Sequence, residues 1–165
     1  MSTTDRRARG DRRPVRTAAA CGAAALGLLA LSACDKPTPV ATVTVGSDTV
    51  HTHAACYRDG RPLDSRTLSA CQRRRPTESI TISPGDVLRL GVEPEIADPG
   101  WVMYVNGQPV SRPLDTTYRS LSADGFFPQN RQQRATPNAA ELTIAEEDAK
   151  GTVYGLWRFR LNLDG

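Results

Sequence analysis

The sequence predicts an all-β fold, an antiparallel β-sandwich. Three observations lead there. Apolar residues alternate with polar ones at period two in several short runs. Turn signals such as Pro84-Gly85-Asp86 and Asn106-Gly107 recur between those runs. No segment keeps a helical apolar period over three turns. The chain of 165 residues suits one ordinary domain.

The elements follow in order. Val40 to Val45 places Ala41, Val43 and Val45 on one face and Thr42 and Thr44 on the other. A weaker strand is expected from Val50 to Tyr57. Ser79 to Ser83 turns Ile80 and Ile82 inward, and Pro84-Gly85-Asp86 forms a turn. Val87 to Val92 follows, with Leu88, Leu90 and Val92 on one face. Trp101 to Val105 is apolar on both faces, which suits a central strand. Asn106-Gly107 accepts positive φ twice and so predicts a tight hairpin. Its return strand, Gln108 to Val110, contains Pro109 and belongs at an edge.

The stretch from Leu114 to Ala139 is irregular. A strand is expected within Thr116 to Leu121, a helical turn at Ala123 to Phe127, and a polar loop from Gln129 to Asn138. Phe126-Phe127 is expected to anchor that stretch to the core. Leu142-Thr143-Ile144 restores the strand pattern. The final strand runs from Thr152 to about Leu163, with Val153, Trp157, Phe159 and Leu161 sharing one face. Leu142 to Tyr154 also has the layout of the corner before a late strand in immunoglobulin-like domains, with Tyr154 as the corner tyrosine and Trp101 as the core tryptophan. The fold expected is therefore an immunoglobulin-like sandwich over residues 40–165.

The net charge is +3, but it is unevenly placed. Six Arg and two Asp in the first 16 residues contribute +4, so the remainder sums to −1. A nucleic-acid-binding domain would carry its positive charge on the folded part, so no nucleic-acid partner is expected. The basic stretch precedes Thr17 to Ala33, an uncharged apolar run, which is the secretory pattern. Residues 1–33 read as a signal peptide. Arg12-Arg13 lies in a poor context for twin-arginine export, since Pro14 and Arg16 follow, so the general secretory route is favoured. Leu31-Ser32-Ala33-Cys34 resembles the lipobox of bacterial lipoproteins, and Cys34 is the expected lipidation site. Its diacylglyceryl group would hold the chain at the outer face of the cytoplasmic membrane. Cleavage before Cys34 leaves 132 residues, of which 34–39 form a Pro-rich tether.

Four Cys are present. Cys21 leaves with the signal and Cys34 is acylated. Cys56 and Cys71 remain, an even pair in an oxidising compartment, and are expected to form a disulfide. The segment between and just beyond them is basic, and Arg73, Arg74 and Arg75 form its densest part. They read as a solvated, disulfide-stapled surface loop, with a patch that meets anionic lipid or a cell-wall polymer as the alternative.

Candidate chemistry is sparse. His51 and His53 lie two apart and share a strand face, so both could meet one metal ion, with Cys56 nearby. Two imidazoles alone fall short of a closed site. The carboxylate pairs Glu93/Glu95 and Glu146/Glu147 are expected at surface turns. No nucleophile elbow, Ser-x-x-Lys motif or phosphate loop occurs. No cofactor is expected, and the chain is not expected to be an enzyme. A metal-binding protein through His51 and His53, or an unrecognised hydrolase, is the alternative.

Arg outnumbers Lys 19 to 2, and Ala, Gly and Pro are common, a usage that GC-rich codons produce. Together with LSACDKPTPVATVTVG from Leu31, the Ala54-Ala55-Cys56-Tyr57 segment, ITISPGDVLRLGVEPEIADPGW from Ile80, and YGLWRFRL near the end, the chain resembles an actinobacterial, Streptomyces-type family of secreted lipoproteins with a domain of unknown function. The resemblance implies an envelope lipoprotein that binds or scaffolds an envelope protein or cell-wall polymer. It implies no activity and no catalytic residues.

Overall fold

The structure is a computed structural model, and it describes residues 36–127 and 138–164. Cys34, Cys21, the signal segment and most of the polar stretch expected at Gln129 to Asn138 lie outside the described residues. Residues 37–165 form one compact unit.

Two sheets pack face to face. The first has the order β2-β1-β5-β8, all antiparallel, with β1 at Val40–Val45, β2 at Asp48–His53, β5 at Val87–Val92 and β8 at Tyr118–Ser122. The second runs β3-β10-β9-β6-β7. Its strands are β3 at Cys56–Tyr57, β6 at Trp101–Val105, β7 at Gln108–Pro109, β9 at Ala139–Glu147 and β10 at Val153–Leu163. Strand β4, Glu78–Ile82, also pairs with β10, in parallel. β3 and β4 thus use two halves of the same β10 edge: Cys56–Tyr57 against Gly155–Leu156, then Glu78–Ile82 against Phe159–Leu163. The chain between them leaves the edge and carries helix α1, Ser65–Gln72.

The alternation seen in the sequence becomes the core. Ala41, Val43, Leu88 and Leu90 of the first sheet meet Ile82, Trp101, Met103, Leu142, Ile144, Trp157, Phe159 and Leu161 of the second. Each large side chain fully buried this way stabilises the fold by roughly 2–3 kcal/mol. The two indoles also place their N–H groups. Trp101 Nε1 donates to the Thr116 carbonyl at 2.8 Å, and Trp157 Nε1 donates to the Pro39 carbonyl at 2.7 Å. The hairpin at Asn106-Gly107 has positive φ at both residues, +50° and +79°, as its tight turn requires. Phe126 and Phe127 pack partly buried against the core beside a 3₁₀ turn at Ala123–Phe126.

Three expectations need correcting. The strand expected from Val50 to Tyr57 is two strands in different sheets, because the chain breaks at Ala54-Ala55 and crosses from β2 to β3. Val153 does not share the face of Trp157. A bulge between Val153 and Gly155 shifts the phase, so Val153 packs with Leu156 on the outer face. Glu146 is not at the surface. It continues the inward phase of Leu142 and Ile144 and is 3% exposed.

A second apolar cluster covers the outer face of the second sheet. Leu68 and Cys71 of α1 press on Ala145 and Leu156, flanked by Tyr104 and Val153. The Cys56–Cys71 disulfide ties the helix to β3, with Cα atoms 6.0 Å apart. Asp64 caps the helix, accepting the Thr67 N–H at 2.8 Å, and this bond holds its carboxyl below the usual range. Sequence reading missed this helix. Its two turns bury only Cys71 fully, too little for a visible period.

A cationic groove where the two sheets meet

β2 of the first sheet and β4 of the second lie side by side. A groove of about 420 Å³ opens at this junction, lined by β2, the crossing at Ala54-Ala55 and the segment that leads from α1 into β4. It brings together residues that the sequence offered as separate candidates. His51 and His53 project from one face of β2, while the intervening Thr52 is buried. Arg74 and Arg75 come from the other wall, with Pro76, Thr77 and Glu78. Arg73 is exposed one residue before the groove-lining pair.

The walls are held by hydrogen bonds. His53 Nδ1 lies 3.1 Å from the Thr38 carbonyl, and the Ala54 N–H donates to Thr38 Oγ1 at 3.2 Å. Arg74 Nη1 donates to the Ala55 carbonyl, which joins the two walls. Beneath them is Arg158, 7% exposed. Its guanidinium donates to the Cys71 carbonyl at 2.9 Å, to the Arg74 carbonyl and to Glu141 Oε1. One buried side chain therefore caps the end of α1 and fixes the Arg73–Arg75 backbone. Arg158 was not among the candidate residues read from the sequence. Its signal was its place on a strand face opposite Trp157 and Phe159, which leaves a long cation beneath whatever covers that face.

Both Cys of the expected pair are in the disulfide, so Cys56 adds no thiolate to His51 and His53. No group of three His, Cys, Asp or Glu suited to a metal ion occurs among the described residues. His51 and His53 contribute imidazole walls to a groove in which arginine supplies the charge.

Away from the groove, Glu146 is a buried carboxylate of β9. Burial, and then the negative charge of Asp59, push the Glu146 carboxyl up to about 7. Its Oε2 is buried and has no hydrogen-bond partner. Tyr57 packs its ring on Trp157, 5.8 Å between centroids, and donates to Asp59 at 3.4 Å. Burial and the carboxylates of Glu146 and Asp59 raise its phenol to about 12. Glu147 accepts the Tyr104 hydroxyl at 2.7 Å, and Glu93 accepts the Val40 N–H at 3.0 Å. Tyr154 turns back as a corner tyrosine does, although its hydroxyl reaches the Asp148 carboxylate, at 3.1 Å, in place of backbone. That carboxylate also accepts the Thr152 and Lys150 N–H groups, which lower its pKa.

Fold and site together define an immunoglobulin-like β-sandwich with a disulfide-stapled helix on its outer face and a cationic groove at the sheet junction. No family model matches the chain, and no curated protein sequence does. Among solved structures it is similar to fibronectin(III)-like modules of Clostridium thermocellum CbhA, at 10% identity and a TM-score of 0.37, covering 55% of this chain and 91% of that one.

Proposed function

We propose that this chain is a cell-envelope lipoprotein, anchored through a diacylglyceryl group on Cys34 at the outer face of the cytoplasmic membrane, and that it works as a binding module and not as an enzyme. The observation that carries the reading is the groove. It gathers Arg74, Arg75, His51 and His53 around about 420 Å³, a size that accepts a small polar group. Arginine forks recognise phosphate and carboxylate oxygens in two-point geometry. Arginine is the cation of its lining, and that charge suits recognition of an anionic group. The lipobox resemblance at Leu31 to Cys34 supplies the address.

Mass spectrometry of the protein recovered from native membranes tests the anchor. The expected product begins at Cys34 and carries a diacylglyceryl mass, and a Cys34→Ala chain carries none. Recovery of a wild-type protein with residues 1–33 intact, or with an unmodified Cys34, refutes the reading.

A further inference from the structure

We propose that the groove docks the domain on anionic phospholipid head groups of the same membrane that holds its anchor. This rests on the reading that Cys34 is acylated.

Chain length is the first argument. Thr38 contacts His53 and Ala54 at the rim of the groove. Thr38 lies only four positions after Cys34. An extended chain spans at most about 14 Å over that distance. An acyl group on Cys34 therefore keeps the rim within about one head-group layer of the bilayer, whatever path the tether takes.

Charge is the second. Arg73, Arg74 and Arg75 are consecutive and exposed. The Arg73 and Arg75 side chains make no hydrogen bond or ion pair among the described residues. Arg74 uses one nitrogen on Ala55 and keeps the rest of its fork. Arg158 is committed to Glu141 and to backbone carbonyls, so it shapes the groove and adds no free charge. Glu78 is the acidic residue of the lining. The balance remains positive.

Order is the third. The Arg74 backbone is held from two sides, by its N–H on the Cys71 carbonyl and its carbonyl on Arg158. The disulfide fixes Cys71 in turn. The arginines thus start from a backbone already in place, which lowers the entropy lost on binding. A phosphodiester oxygen pair fits a guanidinium fork. Ala54 and Ala55 are small residues of the lining and leave room for the glycerol part of a head group.

The test uses the full lipoprotein, reconstituted through its own anchor into nanodiscs. One set contains phosphatidylcholine alone and the other adds phosphatidylglycerol. Hydrogen exchange is followed at residues 51–55 and 73–77. Phosphatidylglycerol is expected to slow both segments several-fold, and added salt is expected to reverse the slowing. Each arginine near an anionic surface favours docking by about fivefold. The Arg73→Ser/Arg75→Ser double variant should therefore lose the slowing while exchange within α1 stays unchanged. Equal exchange in the two lipids overturns the proposal. So does equal slowing by soluble glycerol phosphate or an anionic wall polymer over phosphatidylcholine, since the lipid surface would then add nothing. The acyl mass of Cys34 is measured on the same sample. A missing acyl group overturns the anchoring reading together with the docking, whereas an acylated protein with an unprotected groove overturns the docking alone.

Discussion

Replacing Glu146 with glutamine should remove a loss of stability that the wild-type domain suffers as pH rises. The carboxyl is 3% exposed, its Oε2 has no partner, and Asp59 adds negative charge nearby. Its pKa is about 7 in the folded chain against an ordinary 4.5. Below the lower value both states hold the proton and the site costs nothing. Between the two, the folded state binds more protons than the unfolded state, so stability falls with increasing pH. Above about 7 the cost is complete. The shift corresponds to about 3 kcal/mol. Urea unfolding of wild type and Glu146→Gln, compared from about pH 4 to pH 8, isolates this group because the other titrations cancel in the difference. The gap should widen by about 3 kcal/mol in favour of the glutamine variant as pH rises. Asp59→Asn, which removes the nearby charge, should narrow it. A gap that stays constant over the whole range would refute the argument, whatever its absolute size.

Three further outcomes are expected. Cys56→Ser/Cys71→Ser should lower stability by about 3 kcal/mol in urea unfolding, because the bridge closes a segment of 15 residues, and the effect should vanish when wild type is reduced. Arg158→Met should cost about 3 kcal/mol, since Glu141 loses its cation and the carbonyls at the end of α1 lose their donor; calorimetry would show it, and exchange in α1 should quicken. Gly155→Ala should destabilise by about 2 kcal/mol, read as a fall in thermal midpoint, because the new Cβ would stand 2.7 Å from Trp157 Cη2 and 2.9 Å from Tyr57 Cδ2.

Much of the sandwich is readable from the sequence because each sheet has one core face. Val40 to Val45, Val87 to Val92 and Leu142 to Ile144 alternate cleanly, and the same phase is buried in the structure. Asn106-Gly107 is readable because only a few residue types tolerate positive φ twice in succession. What stays hidden depends on partners far away in the chain. Nothing local at Ala54-Ala55 says that the next residues join another sheet. Helix α1 is short, and its apolar side rests on Ala145 and Leu156, more than 70 residues downstream. Glu146 looks like half of a surface pair because a carboxylate reads as the end of a strand, whereas β9 runs on to Glu147 and keeps Glu146 in the inward phase of Leu142 and Ile144. For the groove, the two His and the three Arg are each visible as candidates. Their convergence is not, because it depends on β2 and β4 meeting at the junction of two sheets.

The double use of the β10 edge also sets an order of assembly. Among the described residues β3 and β4 pair with no strand other than β10, and the Pro39 carbonyl is met by the indole of Trp157. β3 and β4 therefore stay unpaired until residues 153–163 arrive, whereas β1, β2 and β5 can already join. A chain built this way cannot complete its second sheet until its last strand has been made. Long-range pairing of this kind is slow to form.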